Sequence, residues 1–432
     1  MIGVSLDARS PSVRLAAPAA RRRGALRALA ALSIAALAAA CGRQEPRRPD
    51  ALVFRHPKLF GDPEPLDRLV GQFERAHGVA VRREALPAAS DEQHLFYAIN
   101  LAAETTEFDV LALDTIWAAE FAQAGWLRDL SAHVSAADER DLFAAPLASV
   151  TWRARRYALP WFVDAGLLYY RADLLAAEGL APPRTWTDLA QAVRRVRVSQ
   201  PALHGFVWQG KQYEGLVCNA LEFIWSHGGD LDAGAPAAVR GLAFMRALVT
   251  DGLSPPYVTT LTEEPARVLF GRARALFLRN WPYAWSLLQR AGSEVEGRVG
   301  VCPLPHAPGH PAAAALGGWH LGVNAFSRHA AVAEKLAAFL CAAPAQKALA
   351  LAYGYSAPRR SLYADPELAA AQPFLASLAT LLEAARPRPV SPHYVALSQV
   401  LQSEFSAVLS GRRAPAGALG AIARARRVLE AV

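Results

Sequence analysis

The sequence predicts an α/β fold of two lobes, each a largely parallel sheet flanked by helices, with a cleft between them. Short apolar runs alternate with segments of helical period from Ala51 onward, the order that builds parallel sheets. The alternation resumes after Trp161 and meets a Pro- and Gly-rich stretch over 303–318, so the chain divides into more than one layer. With 432 residues, 53% of them hydrophobic and 19% charged, it is long enough for two to three domains and can bury a large core.

The elements follow in order. Leu52, Val53 and Phe54 read as a strand, and Leu66, Leu69, Val70 and Phe73 fall on one face of a helix. A second strand is expected over 79–85, a helix over 91–103 and a buried strand over 109–113. The spacing predicts a further helix over 115–124, with Asp114 as its N-cap and Gly125 ending it. Beyond Trp161, strands are expected at 167–170, 206–208, 275–278 and 298–301. Helices are expected to end near Gly179, to run from an N-cap at Thr185 to Val198, and to cover 213–227. After Ser327 helices dominate.

The N-terminus reads as a targeting segment. Arg21, Arg22, Arg23 and Arg27 precede an uncharged run over 28–40, too short to span a bilayer comfortably. Ala38, Ala39 and Ala40 then lead to Cys41 and Gly42, a pattern that resembles the lipobox of bacterial lipoproteins. Residues 1–40 are expected to be a signal peptide, Cys41 a lipidation site and 41–50 a tether; simple cleavage near Ala40 is the alternative. The formal charge of +8 includes +5 from the first forty residues, which leaves +3 for the rest and gives no basis for nucleic-acid binding. Cys218, Cys302 and Cys341 are too few and scattered for a disulfide framework and are expected as free thiols.

Several motifs fail on their chemistry. Gly205 to Gly210-Lys211 has the spacing of a phosphate-binding loop, but Gln212 stands where a hydroxyl must hold magnesium, and Phe206 and Trp208 are too bulky. His306 and His310 are separated by Pro308 and Gly309, so no helix presents both to a metal. Neither a metal nor an organic cofactor is implied.

What remains is tryptophan beside turns and acids at strand ends. Trp117, Trp126, Trp161, Trp208, Trp281 and Trp319 flank turns, and Asp114 and Asp164 follow apolar runs, where open α/β sheets bind ligands. Flat aromatics can stack on apolar C–H faces while carboxylates and guanidinium groups take up hydroxyls. Core packing and helix capping account for the same residue types.

The segments Asp109-Val110-Leu111-Ala112-Leu113-Asp114-Thr115-Ile116-Trp117, Ala124-Gly125-Trp126-Leu127 and 158–171 resemble the extracellular solute-binding proteins of sugar ABC importers. So do Pro183-Arg184-Thr185-Trp186, 205–222, Arg279-Asn280-Trp281-Pro282-Tyr283, Gly317-Gly318-Trp319-His320-Leu321 and Arg388-Pro389-Val390-Ser391-Pro392-His393-Tyr394. Within that family, 208–216 and the pair Trp281 and Trp319 are similar to the trehalose/maltose-binding branch. The resemblance implies a periplasmic-binding-protein fold, with 51–163 plus about 309–358 as the N-terminal lobe and 164–308 plus about 359–432 as the C-terminal lobe.

It also implies site residues. Asp114 and Asp164 are expected to accept hydrogen bonds from sugar hydroxyls, Trp281, Tyr283 and Trp319 to stack on rings, and Gly318 to offer backbone. Arg388 is expected to fork onto hydroxyls, Ser90, Asp91 and Gln93 to lie on a sugar-contacting loop, and Glu214 to lie near the cleft. Phe162 stands where the family commonly has tyrosine. The implied protein is no enzyme: it is an exported, lipid-anchored monomer that passes a sugar to permease subunits. Trehalose, maltose, sucrose and related α-glucosides fit it equally. A secreted glycosidase using two of the carboxylates, and a sugar-sensing surface lipoprotein, are the rival readings.

Overall fold

A computed structural model describes residues 51–59, 61–231, 235–372 and 374–431. The expected signal peptide, Cys41 and the tether lie outside the described residues. The first sheet starts with β1 (Leu52–Pro57), β2 (Val81–Leu86) and β3 (Val110–Asp114), all parallel. The Glu64–His77 helix joins β1 to β2 and buries Leu66, Leu69, Val70 and Phe73, the stripe its spacing prescribes. Gly78, at φ 66°, closes it by donating its N–H to the Glu74 carbonyl.

Short strands β4 (Thr151–Trp152) and β5 (Arg155–Arg156) form a hairpin, and β6 (Leu159–Ala165) then joins the first sheet. The second sheet holds β7 (Leu167–Arg171), β8 (His204–Val207), β9 (Ala275–Asn280) and β10 (Val299–Pro303). The last strand, β11 (Leu316–Val323), returns to the first sheet and runs antiparallel between β3 and β6. The sheet orders are β2-β1-β3-β11-β6 and β10-β7-β9-β8.

One strand and one helix start differ from expectation. In strand direction both sheets are largely parallel, as expected, with one strand of opposite sense in each: β11 runs against β3 and β6, and β7 pairs antiparallel with both β9 and β10. An eight-residue strand at 316–323 was not foreseen, since Gly317 and Gly318 are poor strand formers and follow a proline-rich approach. The helix after β3 spans Ala118–Gln123, with Trp117 rather than Asp114 at its N-cap position, which leaves the Asp114 carboxylate free to face elsewhere. Thr185 does cap the Trp186–Ser199 helix, through a reciprocal pair of hydrogen bonds with Asp188.

Each sheet has its own apolar core. Phe54, Phe73, Trp161 and Leu336 cover one face of the first sheet, and Tyr97, Leu111, Trp117 and Phe121 cover the other. Trp186, Trp208, Phe223, Leu242 and Met245 fill the core around the second. Trp117, Trp161 and Trp208 are therefore packing residues, fully buried. Cys218, Cys302 and Cys341 are free thiols. The chain crosses between the sheets at Gly166 and again over 304–315, and these crossings set the edges of both sheets against one cleft.

Candidate functional site

The register of the first sheet brings three strand ends together. Trp319 pairs with Asp114, and Gly317 pairs with Asp164, so the start of β11 lies between the two acids that end β3 and close β6. Gly318 has φ 113°, and a Cβ there would sit 2.4 Å from the Phe162 carbonyl oxygen, so only glycine fits. A shift of register, a bulge, between Trp319 and His320 follows immediately. Across the cleft β9 delivers Trp281 and Tyr283 just beyond its end at Asn280.

These groups line a cavity of about 630 Å³, within the size range of small-molecule sites. Ser90, Asp114, Asp164, Glu214, Trp281, Tyr283, Gly318, Trp319 and Arg388 all reach its wall. Trp319 is braced edge-on against Trp117, centroids 5.7 Å apart. Trp281 has the Arg279 guanidinium 3.8 Å from its ring centroid, and its carbonyl accepts from the Tyr169 hydroxyl at 2.8 Å.

The carboxylates differ in what they already hold. Asp114 accepts from the Ser90 hydroxyl at 2.8 Å, from Thr115 at 3.2 Å and from Arg388 at 2.8 Å. Glu214 accepts from Arg388 at 2.6 Å, from the Tyr394 hydroxyl at 2.7 Å and from Ser398. Burial pushes its carboxyl above the usual range, against the pull of Arg388. Asp164 has no such set: its Oδ1 is buried without a hydrogen-bond partner. Burial raises its pKa to about 7; Arg279 opposes the rise and Asp114 adds to it. Asp164 is thus the acid with capacity to spare for a hydroxyl.

Three expectations shift here. Asp91 and Gln93 do not line the cavity: Gln402 donates to the Asp91 carboxylate at 3.4 Å, while fully buried Gln93 donates to the Pro87 carbonyl at 2.7 Å and braces the loop behind Ser90. Arg388 lines the cavity, but its two terminal nitrogens are occupied by Asp114, Thr115 and Glu214, so it bridges the first sheet to the Glu214–Ser226 helix. Lys211, Tyr213, Glu263, Glu264 and Tyr355 line the cavity without having been singled out as site residues. Tyr213 donates to Glu263 at 2.6 Å and Tyr283 to Glu264 at 3.0 Å, which makes a carboxylate-phenol rim. In sequence Glu263 and Glu264 look like ordinary helix-start acids. Tyr355 stacks on Phe162 with centroids 4.1 Å apart.

Residues 59–347 match the family described as bacterial extracellular solute-binding protein. The chain belongs to that family. Among relatives of this solute-binding protein, a probable ABC transporter-binding protein of Deinococcus radiodurans is 37% identical over 79% of this chain and 84% of its own length. The solved structure of maltose-bound T. maritima MalE3 superposes with a TM-score of 0.82, at 38% identity, over 88% of this chain and all of that one. The GacH receptor of Streptomyces glaucescens, 21% identical with a TM-score of 0.78 over 88% of this chain and 98% of that one, shares the fold. The architecture is the two-lobe periplasmic-binding-protein fold.

Proposed function

We propose that the cleft captures a sugar, an α-linked disaccharide such as maltose or trehalose, and that the chain delivers it to the permease of an ABC importer. The observation that carries this reading is the wall of the cavity: two tryptophans from opposite lobes, Trp281 and Trp319, beside the partnerless Oδ1 of Asp164. A pyranose ring offers one apolar face to each indole and hydroxyl donors to the acid. The likeness at 38% identity to the maltose-bound structure of T. maritima MalE3 supports the same reading.

In this reading Asp164 and Asp114 accept hydroxyl hydrogen bonds, Trp281, Tyr283 and Trp319 supply stacking surface, and Gly318 keeps the backbone close to the ligand. Ser90 and Glu214 hold Asp114 and Arg388 in place. The lobes are 51–163 with about 309–358, and 164–308 with about 359–432, hinged where the chain crosses at Gly166, over 304–315 and near 358. A ligand that touches both lobes favours the closed arrangement by its extra affinity for it. The protein acts without catalysis, outside the cytoplasm, held to the membrane by a lipid on Cys41.

Isothermal titration of residues 42–432 with trehalose, maltose and mannitol tests the assignment. Mannitol is included because a mannitol-binding protein of Pseudomonas aeruginosa is 25% identical over 79% of this chain. Saturating heat with a disaccharide at about one sugar per chain is the expected result. Binding of mannitol alone would replace the disaccharide with a polyol, and sustained heat after each injection would mean turnover.

A further inference from the structure

Beneath the cavity floor lies a buried ion pair with no place in the proposed ligand contacts. Arg279 on β9 and Glu222 on the Glu214–Ser226 helix are 1% and 3% exposed at their side chains. Arg279 Nε donates to one Glu222 oxygen at 2.9 Å and Nη2 to the other at 2.5 Å, a fork on a fork. Nη1 donates to Gln209 Oε1 at 3.3 Å, which also accepts from Asn219 at 3.2 Å.

The pair touches two of the crossings between the lobes, at Gly166 and at Ala315. Glu222 Oε1 accepts the backbone N–H of Ala315 at 3.0 Å, one residue before β11 begins. Gly166, between β6 and β7, packs directly on the pair: a Cβ there would lie 2.1 Å from Glu222 Oε1 and 2.8 Å from Arg279 Nη2. The guanidinium also lies over the Trp281 ring at 3.8 Å, so the indole has a cation against one face and offers the other to a ligand.

We infer that Glu222 and Arg279 are positioning residues which seat the Trp281 platform and register it against the inter-lobe crossings at Gly166 and Ala315. The inference rests on the role proposed for Trp281. A buried pair is a weak source of stability, because desolvation of both ions offsets their attraction, and replacing both with neutral groups of similar volume is often tolerated. Its value here is geometric: a planar, always-charged fork holds one ring orientation and one strand entry at once.

The test uses Glu222→Gln/Arg279→Met, which removes both charges together and avoids leaving either buried alone, with Arg279→Lys as a second variant that keeps charge but loses the flat face. The readouts are maltose and trehalose affinity, urea stability, and the Trp281 contribution to near-ultraviolet circular dichroism, taken as the difference between each protein and its Trp281→Phe partner without ligand. The expected result is a folded double variant at least tenfold weaker for sugar, with the Trp281 difference spectrum reduced. Wild-type affinity and an unchanged difference spectrum in either variant would overturn the inference. If the wild-type chain binds neither sugar, the disaccharide reading fails instead, and the ligand-free Trp281 spectrum still decides whether the pair positions the ring.

Discussion

Asp164 concentrates the chemistry of the cleft in one carboxyl group. Unfolded, it ionises near 3.8; in the fold burial holds its pKa at about 7. Between those values the folded chain keeps a proton that the unfolded chain has lost. The group therefore favours folding at low pH and opposes it increasingly as pH rises toward 7, by an amount on the order of a few kcal/mol. Asp164→Asn is expected to be more stable than wild type above pH 7 and to lose that advantage toward pH 4, as urea denaturation at several pH values would measure. The same substitution should weaken sugar binding by roughly tenfold or more, since a hydrogen bond to a charged acceptor contributes about 1.5–3 kcal/mol. Wild-type affinity should rise with pH through 7 while the variant's stays flat; parallel profiles would remove Asp164 from the site. Both Asp114 and Asp164 were legible in the sequence because an acid directly after an apolar run marks a strand end. The partners of Arg388 were not, because Asp114 and Glu214 lie 274 and 174 residues away along the chain and no local pattern records that meeting.

At the scale of elements, period carried the reading where one face is buried. The Leu66, Leu69, Val70 and Phe73 stripe and the Thr185 cap are local signals, and the structure has both. Strand β11 is the counter-example: its place between β3 and β6 is fixed by tertiary pairing, and its glycines answer to close approach rather than to strand propensity. Asp91 and Gln93, expected on a loop, lie with Ser90 in the Ser90–Ala102 helix, and helical rotation turns them away from the wall that Ser90 reaches. Two substitutions separate support from function. Thr185→Ala removes a cap that is no part of the cavity wall and should cost about 1 kcal/mol in urea denaturation with affinity unchanged. Gly318→Ala places a Cβ against the Phe162 carbonyl at a φ that disfavours it, so it should cost about 2 kcal/mol or more and also weaken sugar binding through Trp319. Equal affinity in the two variants would mean that Gly318 does not position Trp319.

For the whole molecule, alternating strands and helices made the α/β class legible, whereas the antiparallel pairs did not show, because sense depends on how long connections cross between layers. The family supplies the two lobes, and the cavity between them supplies the reason for the crossings. Residues from both sides line one cavity, so in the proposed function capture and closure are one event. Small-angle X-ray scattering of residues 42–432, with and without saturating maltose or trehalose, tests that claim most directly. A compact chain of this size has a radius of gyration of about 21 Å, and an open cleft raises it. Sugar is expected to lower the radius of gyration, and Trp281→Ala, still folded, to abolish the change. An identical scattering profile with sugar bound, shown bound by titration, would contradict capture by closure.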